Sequence, residues 1–218
     1  MRKLPAVLRQ AHKAIADFGL LKILQSEINH ELSTKPFQQN DESRSFGDFV
    51  VDWDSPQFQD VVLHRICESG EEVAVSALLG ADGTTENPKF PREAFMKVGV
   101  KKSGLTSMLQ FDCVATAQAG DCFDLEIRNV NYIPSSDLDS SACKVPSISF
   151  FSSLDQSLRD ELHKYLEARG VDKSFAESLL LHLHKKEQGQ YIDWLQKLQA
   201  IVTPVESREE HPMQDIDA

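Results

Sequence analysis

The sequence predicts an α+β fold: an antiparallel sheet of about seven strands, flanked by one N-terminal helix and by helices at the C-terminal end. Three observations predict it. Apolar residues recur at helical spacing near both ends of the chain, the middle switches to period-two alternation, and the alternating segments follow one another through short turns with no helix between them.

The first helix rests on Val7, Ala11, Ala14, Phe18, Leu21, Ile28 and Leu32, which keep a four-three spacing with Gln25 as its one polar position. Residues 2–16 are basic and free of acids, as in a mitochondrial transit peptide, but no serine precedes Ser26. Two readings stay open: residues 1–19 are a transit segment, or they extend the mature helix. Residues 20–32 are expected to be helical either way. Residues 33–45 are polar, carry Pro36 and read as a loop.

The sheet follows. Residues 46–53, 60–67, 72–79, 94–101, 106–115 and 121–130 each read as a strand, and 145–150 as a seventh that Pro146 pushes toward an edge. Alternation is cleanest in the sixth, where Phe123, Leu125 and Ile127 oppose Asp124, Glu126 and Arg128. One face should be buried and the other wet. The connections 80–92 and 134–144 are rich in Gly, Pro, Ser and Asp and are expected to be exposed.

From residue 152 the pattern reads helix, stop, helix, helix. Ser153 and Gln156 form a capping-box pair, and Leu154, Leu158, Leu162, Tyr165 and Leu166 line one stripe. Gly170 should end that helix. Asp172 or Ser174 starts the next, whose apolar face is Phe175, Leu179, Leu180 and Leu183. Gly189 is expected to interrupt it. Tyr191, Leu195, Leu198 and Val202 then form a narrow seam suited to packing on another helix, and Pro204 closes it. Residues 20–204 thus read as one domain, and 205–218 as an acidic, disordered tail.

Charge narrows the function. The chain carries 23 Lys plus Arg against 34 Asp plus Glu, a net −11. Five of those bases and one of the acids lie in residues 1–25, so residues 26–218 hold 18 against 33, or −15. Such a body repels a phosphate backbone and attracts cationic proteins. Direct, general nucleic-acid binding is disfavoured. No stretch is long and apolar enough for a membrane span. The four cysteines, Cys67, Cys113, Cys122 and Cys143, show no CxxC spacing and fit free thiols in a reducing compartment. No Asn-x-Ser/Thr sequon occurs.

Motifs for chemistry are missing from the sequence. His182 and His184, two residues apart, point to different sides of a helix, whereas chelation needs a spacing of four. Asp52-x-Asp54 and Asp137-x-Asp139 do not continue into a calcium loop. There is no nucleophile elbow, P-loop or dinucleotide fingerprint, so no catalytic residue, metal ligand or cofactor is expected. Trp53, Trp194 and Phe175 read as core or subunit-interface aromatics. Asp124 and Glu126 stand for the acidic surface.

One string is more specific than any of these patterns. Leu154-Asp155, Tyr165-Leu166-Glu167-Ala168-Arg169-Gly170-Val171-Asp172, Phe175-Ala176-Glu177, Glu187, Tyr191-Ile192 and Leu195 through Leu198 resemble the mitochondrial glycoprotein family. These are acidic matrix proteins related to the complement globular-head-binding protein. Ser26-Glu27-Ile28 and Phe111-Asp112-Cys113 extend the resemblance more weakly. It implies a strongly twisted sheet and a homotrimeric ring around an acidic channel, with coiled-coil contacts drawn from Leu21, Leu24, Ile28, Tyr191, Leu195, Leu198 and Val202. It also implies a non-enzymatic scaffold or chaperone of the mitochondrial matrix that binds basic proteins and supports ribosomes, translation and oxidative phosphorylation. The alternatives are an enzyme with no recognisable motif and an RNA-associated regulator acting through a basic partner.

Overall fold

Period-two alternation becomes six strands in the computed structural model. The structure describes residues 6–34, 46–81, 85, 87–119, 122–134 and 151–203, with side chains from residue 17 onward. The chain divides into two compact units, residues 36–190 and residues 1–35 with 191–218.

In the larger unit the strands are β1 (Val50–Asp54), β2 (Val61–Ile66), β3 (Glu72–Leu79), β4 (Ala94–Lys101), β5 (Met108–Gln118) and β6 (Cys122–Ile133). They lie in sequence order, every neighbouring pair antiparallel, which is the meander expected of strands joined by short turns. The strands 72–79 and 94–101 match expectation to the residue, while β1 starts four residues later than expected and β5 and β6 run three further. The seventh strand, the 134–144 connection beyond Pro134, Asp137-x-Asp139, Cys143 and the tail lie outside the described residues.

One sheet face is covered. Val61, Leu63, Val75, Val98, Phe111 and Ala115 are fully buried, in one cluster with Leu166, Phe175, Leu179, Leu180 and Leu183. Those last residues come from α2 (Gln156–Glu167) and α3 (Lys173–Val202). α2 starts after Asp155, whose carboxylate accepts from the Ser157 N–H at 2.9 Å, so Asp155 and not Ser153 is the cap. Ser153 falls instead in a single 3-10 turn, Phe151–Ser153.

Gly170 takes φ +80° as the stop requires. The N–H groups of Val171 and Gly170 return to the carbonyls of Leu166 and Glu167, the paired bonds of a Schellman ending. A side chain there would also run into the Arg65 guanidinium. Asp172 caps α3 by accepting from the Phe175 N–H at 2.8 Å.

Two further expectations fail in this unit. α3 is continuous through Gly189, because one helical glycine costs only about 1 kcal/mol and the flanking turns are otherwise good helix formers. The 80–92 connection is not simply exposed: Asn87 and Phe90 are buried. The Asn87 side chain accepts from the N–H groups of Lys89 and Phe90 and donates to the Gln118 carbonyl, which lets this polar loop enter the core satisfied.

In the smaller unit α1 (Ala6–Ser33) runs beside the end of α3, with Leu24, Ile28 and Leu195 buried and Leu198 packed on them. Phe18 is 71% exposed and Leu32 47%, so the long four-three stripe read from the sequence is not buried along its length in one chain. Leu24, one residue from Gln25, takes the inward position. Gln25 sits beside it and accepts from the Gln199 amide at 2.7 Å.

Candidate functional site

The residues that resemble a known family build a clamp. Arg169 lies 3.4 Å over the Tyr165 ring, donates to the Tyr165 carbonyl and reaches the Glu71 carboxylate at 2.6 Å. Tyr165 stacks in turn on Phe111. Burial raises the Tyr165 phenol above its ordinary value, against the lowering effect of Arg169. Glu71 and Arg169 are both mostly buried, and the pair fastens the end of α2 to the β2–β3 turn. These are structural roles.

The candidate acids divide by face. Asp54 points to the covered side, where its carboxylate meets His182 Nε2 at 2.8 Å and Lys186 Nζ at 2.5 Å. Burial pushes its carboxyl up, but Lys186 and His182 together hold it below the usual carboxylate range. Asp52 instead comes within 2.5 Å of His64 Nδ1, an ion-pair distance outside good hydrogen-bond geometry. Asp52 and Asp54 therefore do not converge. Asp124 pairs with Lys173 at 3.1 Å and Glu126 with Arg128 at 3.0 Å, both at half-exposed sites worth little to stability.

His184 is buried beside Phe90, its Nδ1 donating to the Leu180 carbonyl at 2.9 Å. Burial lowers its pKa, with Arg92 adding to the effect. Burial also pushes the Cys113 thiol up to about 12, with help from Asp112. The Cys113 thiol is therefore not poised for nucleophilic attack near neutral pH. Among the described residues no three His, Cys, Asp or Glu side chains gather as metal ligands, and no helix is long and apolar enough to cross a membrane.

The aromatics separate as well. Phe175 is core at 4% exposure, but Trp53 and Trp194 stand about half exposed, so within one chain they are not core. Tyr191 stacks on Trp194 and its hydroxyl donates to Glu27; burial and that carboxylate raise its phenol. Leu21 and Val202 are half-buried at the margins of the seam.

On the uncovered side of the sheet a groove of about 700 Å³ runs over Ser76, Leu78, Phe95, Lys97, Val114 and Arg128. Register aligns Leu78, Phe95 and Val114 in an apolar row, and Ser76, Lys97 and Asp112 in a polar one. Sequence alternation places these residues on one face. That Leu78 and Phe95 stand 42% and 44% exposed there while Val114 beside them is buried was not legible from it.

Comparison with known proteins follows this geometry. A family model described as mitochondrial glycoprotein matches residues 79–202. An uncharacterized mitochondrial protein of Arabidopsis thaliana is 30% identical over 190 residues, 82% of this chain and 72% of that one. Two solved structures share the fold. The p22 protein of Trypanosoma brucei gives a TM-score of 0.63 at 17% identity, over 87% of this chain and 100% of that one. A Leishmania major protein described as a sequence homologue of human p32 gives 0.65 at 20%, over 86% and 99%.

Proposed function

The chain belongs to the mitochondrial glycoprotein family, and on that premise we propose that it is a non-enzymatic acidic scaffold or chaperone of the mitochondrial matrix that holds basic proteins, ribosomal proteins among them. The observation that carries this reading is charge: −11 overall, and −15 once the basic first 25 residues are set aside. Coulomb attraction needs sign and proximity but little geometric match, so an acidic body can hold many basic clients. Service to translation and oxidative phosphorylation belongs to the same reading.

So does a homotrimeric ring. Phe18, Leu20 and Ile23 of α1 stand 71%, 45% and 67% exposed in one chain, apolar surface that packing between copies would remove from water. Leu21, Leu24, Ile28, Tyr191, Leu195, Leu198 and Val202 are the residues proposed to build or border those contacts.

The test is suppression of aggregation of a basic ribosomal protein at low salt and at ~0.5 M salt, where screening is strong. Protection should fall sharply at high salt. Asp124→Asn or Glu126→Gln alone should change little, whereas neutralising Glu72, Glu93, Asp124 and Glu126 together should weaken it strongly. Full protection at high salt, or complete loss from one substitution, overturns the electrostatic mechanism.

A further inference from the structure

We propose that the corner of the sheet formed by Asp52, Trp53 and Phe58 is a docking platform for an arginine-bearing, extended segment of a basic protein. The proposal rests on the client-binding reading above and gives it a place and a side-chain preference. A bulge makes the corner. In a regular strand Asp52 and Trp53 would point to opposite faces, but the register of β1 on β2 slips between Val51 and Trp53. Trp53 comes opposite Val62, and the Asp52 carboxylate reaches His64. Val62 and His64 alternate with the fully buried Val61 and Leu63, so both mark the open face. An acid and an indole therefore stand together on that face, at the sheet's edge.

The platform is fixed from behind. Gln190 donates to the carbonyls of Pro56 and Phe58 at 2.9 and 2.8 Å, and Lys186 to the Asp60 carbonyl at 2.7 Å. Lys186 and His182 also hold Asp54. This pins the β1–β2 turn to α3, with the Phe58 ring 5.9 Å from that of Trp53. Yet Trp53 stays 47% exposed and Phe58 54%. Two rings left in water, one on a paired strand and one on an anchored turn, lose little freedom when a ligand covers them.

Charge selects the occupant. Residues 46–60 carry Asp48, Asp52, Asp54 and Asp60 and no Lys or Arg; Asp48 pairs with Arg65 and Asp54 with Lys186, which leaves Asp52 as the acid beside the indole. The open-face positions of β1, β2 and β3 hold Asp52 and Glu72 with no Lys or Arg; His64 lies against Asp52, and on β4 Lys101 stands opposite Glu72 and Lys97 opposite Ser76. Nucleic acids and acidic peptides are repelled. A guanidinium uses both halves of the corner, stacking on the indole while its fork of donors bonds the carboxylate. An ammonium is a compact, strongly hydrated charge and uses the carboxylate alone. The platform thus prefers Arg to Lys, a discrimination that diffuse attraction lacks.

The experiment uses the full chain carrying Trp194→Phe, which leaves Trp53 as the reporter, titrated with poly-Arg and poly-Lys peptides of equal length at fixed salt. Both should bind, poly-Arg roughly two- to fivefold tighter as an exposed cation–π contact implies, with the Trp53 emission changing on poly-Arg. Trp53→Ala should erase the preference and leave poly-Lys affinity unchanged, while Trp53→Phe keeps part of it. All these side chains are exposed, and circular dichroism verifies that the fold is retained. Equal affinities, or a preference that survives Trp53→Ala and Phe58→Ala, overturn the platform but leave basic-client binding standing. Binding of neither peptide overturns the client reading and the platform with it. A change of oligomeric state on Trp53→Ala means that a second copy of the chain covers the corner, and the proposal fails.

Discussion

The two faces of the sheet in residues 36–190 come from the same six strands and the same alternation, yet they differ in almost every other respect. On the covered face Val61, Leu63, Val75, Ala94, Val98, Phe111 and Ala115 have no exposure, because the apolar stripes of α2 and α3 lie in the same cluster. On the open face Leu78 and Phe95 stand 42% and 44% exposed in the same ladder. Both faces contain large apolar residues, so composition does not separate them. What separates them among the described residues is that α2 and α3 supply the other half of the contact on one face only, while on the other Val114 is buried between neighbours that are not. The covered face carries stability.

The largest effect that could break this contrast is a cavity on the covered side. Leu180→Ala removes a fully buried side chain and should cost about 2–5 kcal/mol in urea unfolding. A loss below roughly 1 kcal/mol would mean that the α3 contact does little to hold the sheet.

A smaller effect sharpens the contrast through pH. His184 is buried on the covered side and its folded pKa lies below the ordinary 6.5, so the native state resists a proton that the unfolded chain accepts. Its stabilising contribution is complete above pH 6.5 and is lost as pH falls from there toward the lowered folded value. Melting temperatures followed from pH 7.5 down to about 5 should decline over that window, and His184→Leu should flatten the decline. An unchanged slope in the variant would place the titrating group elsewhere.

The smallest effect belongs to the open face. Leu78→Ser and Phe95→Ser each remove a side chain that is already more than two-fifths exposed, and should shift unfolding free energy by about 1 kcal/mol or less. If Phe95→Ser destabilises as much as Leu180→Ala, the face is covered in solution and the distinction drawn here fails.

How legible each feature was depends on how far apart its parts lie in the chain. β3 and β4 could be bounded to the residue because each alternates without a break between turn residues. The stop at Gly170 was legible for the same reason, a local conformation that glycine supplies. Gly189 misled because a helical glycine is a weak signal once the helix is nucleated and anchored on both sides. Loop 80–92 misled because its polar composition reads as exposure, while one side chain, Asn87, satisfies the backbone that burial would otherwise leave unpaired. For Trp53 and Trp194, expected in the core or at a subunit interface, the structure sets aside the core alternative, because each stands about half exposed with one ring, Phe58 or Tyr191, beside it.

By itself the sequence determined the class of fold, the order of the six described strands and the sign of the net charge, carried by local spacing and composition, while the family was legible from the resemblance of one string of residues. The tertiary structure alone decided which apolar stripe of α1 is inside and how the β1 bulge sets Asp52 beside Trp53. It alone paired Asp54 with His182 and Lys186, partners 128 and 132 residues away. The physical reason is that periodicity fixes the direction of a side chain relative to its own backbone, whereas its partner is fixed by packing between segments whose separation no local pattern encodes.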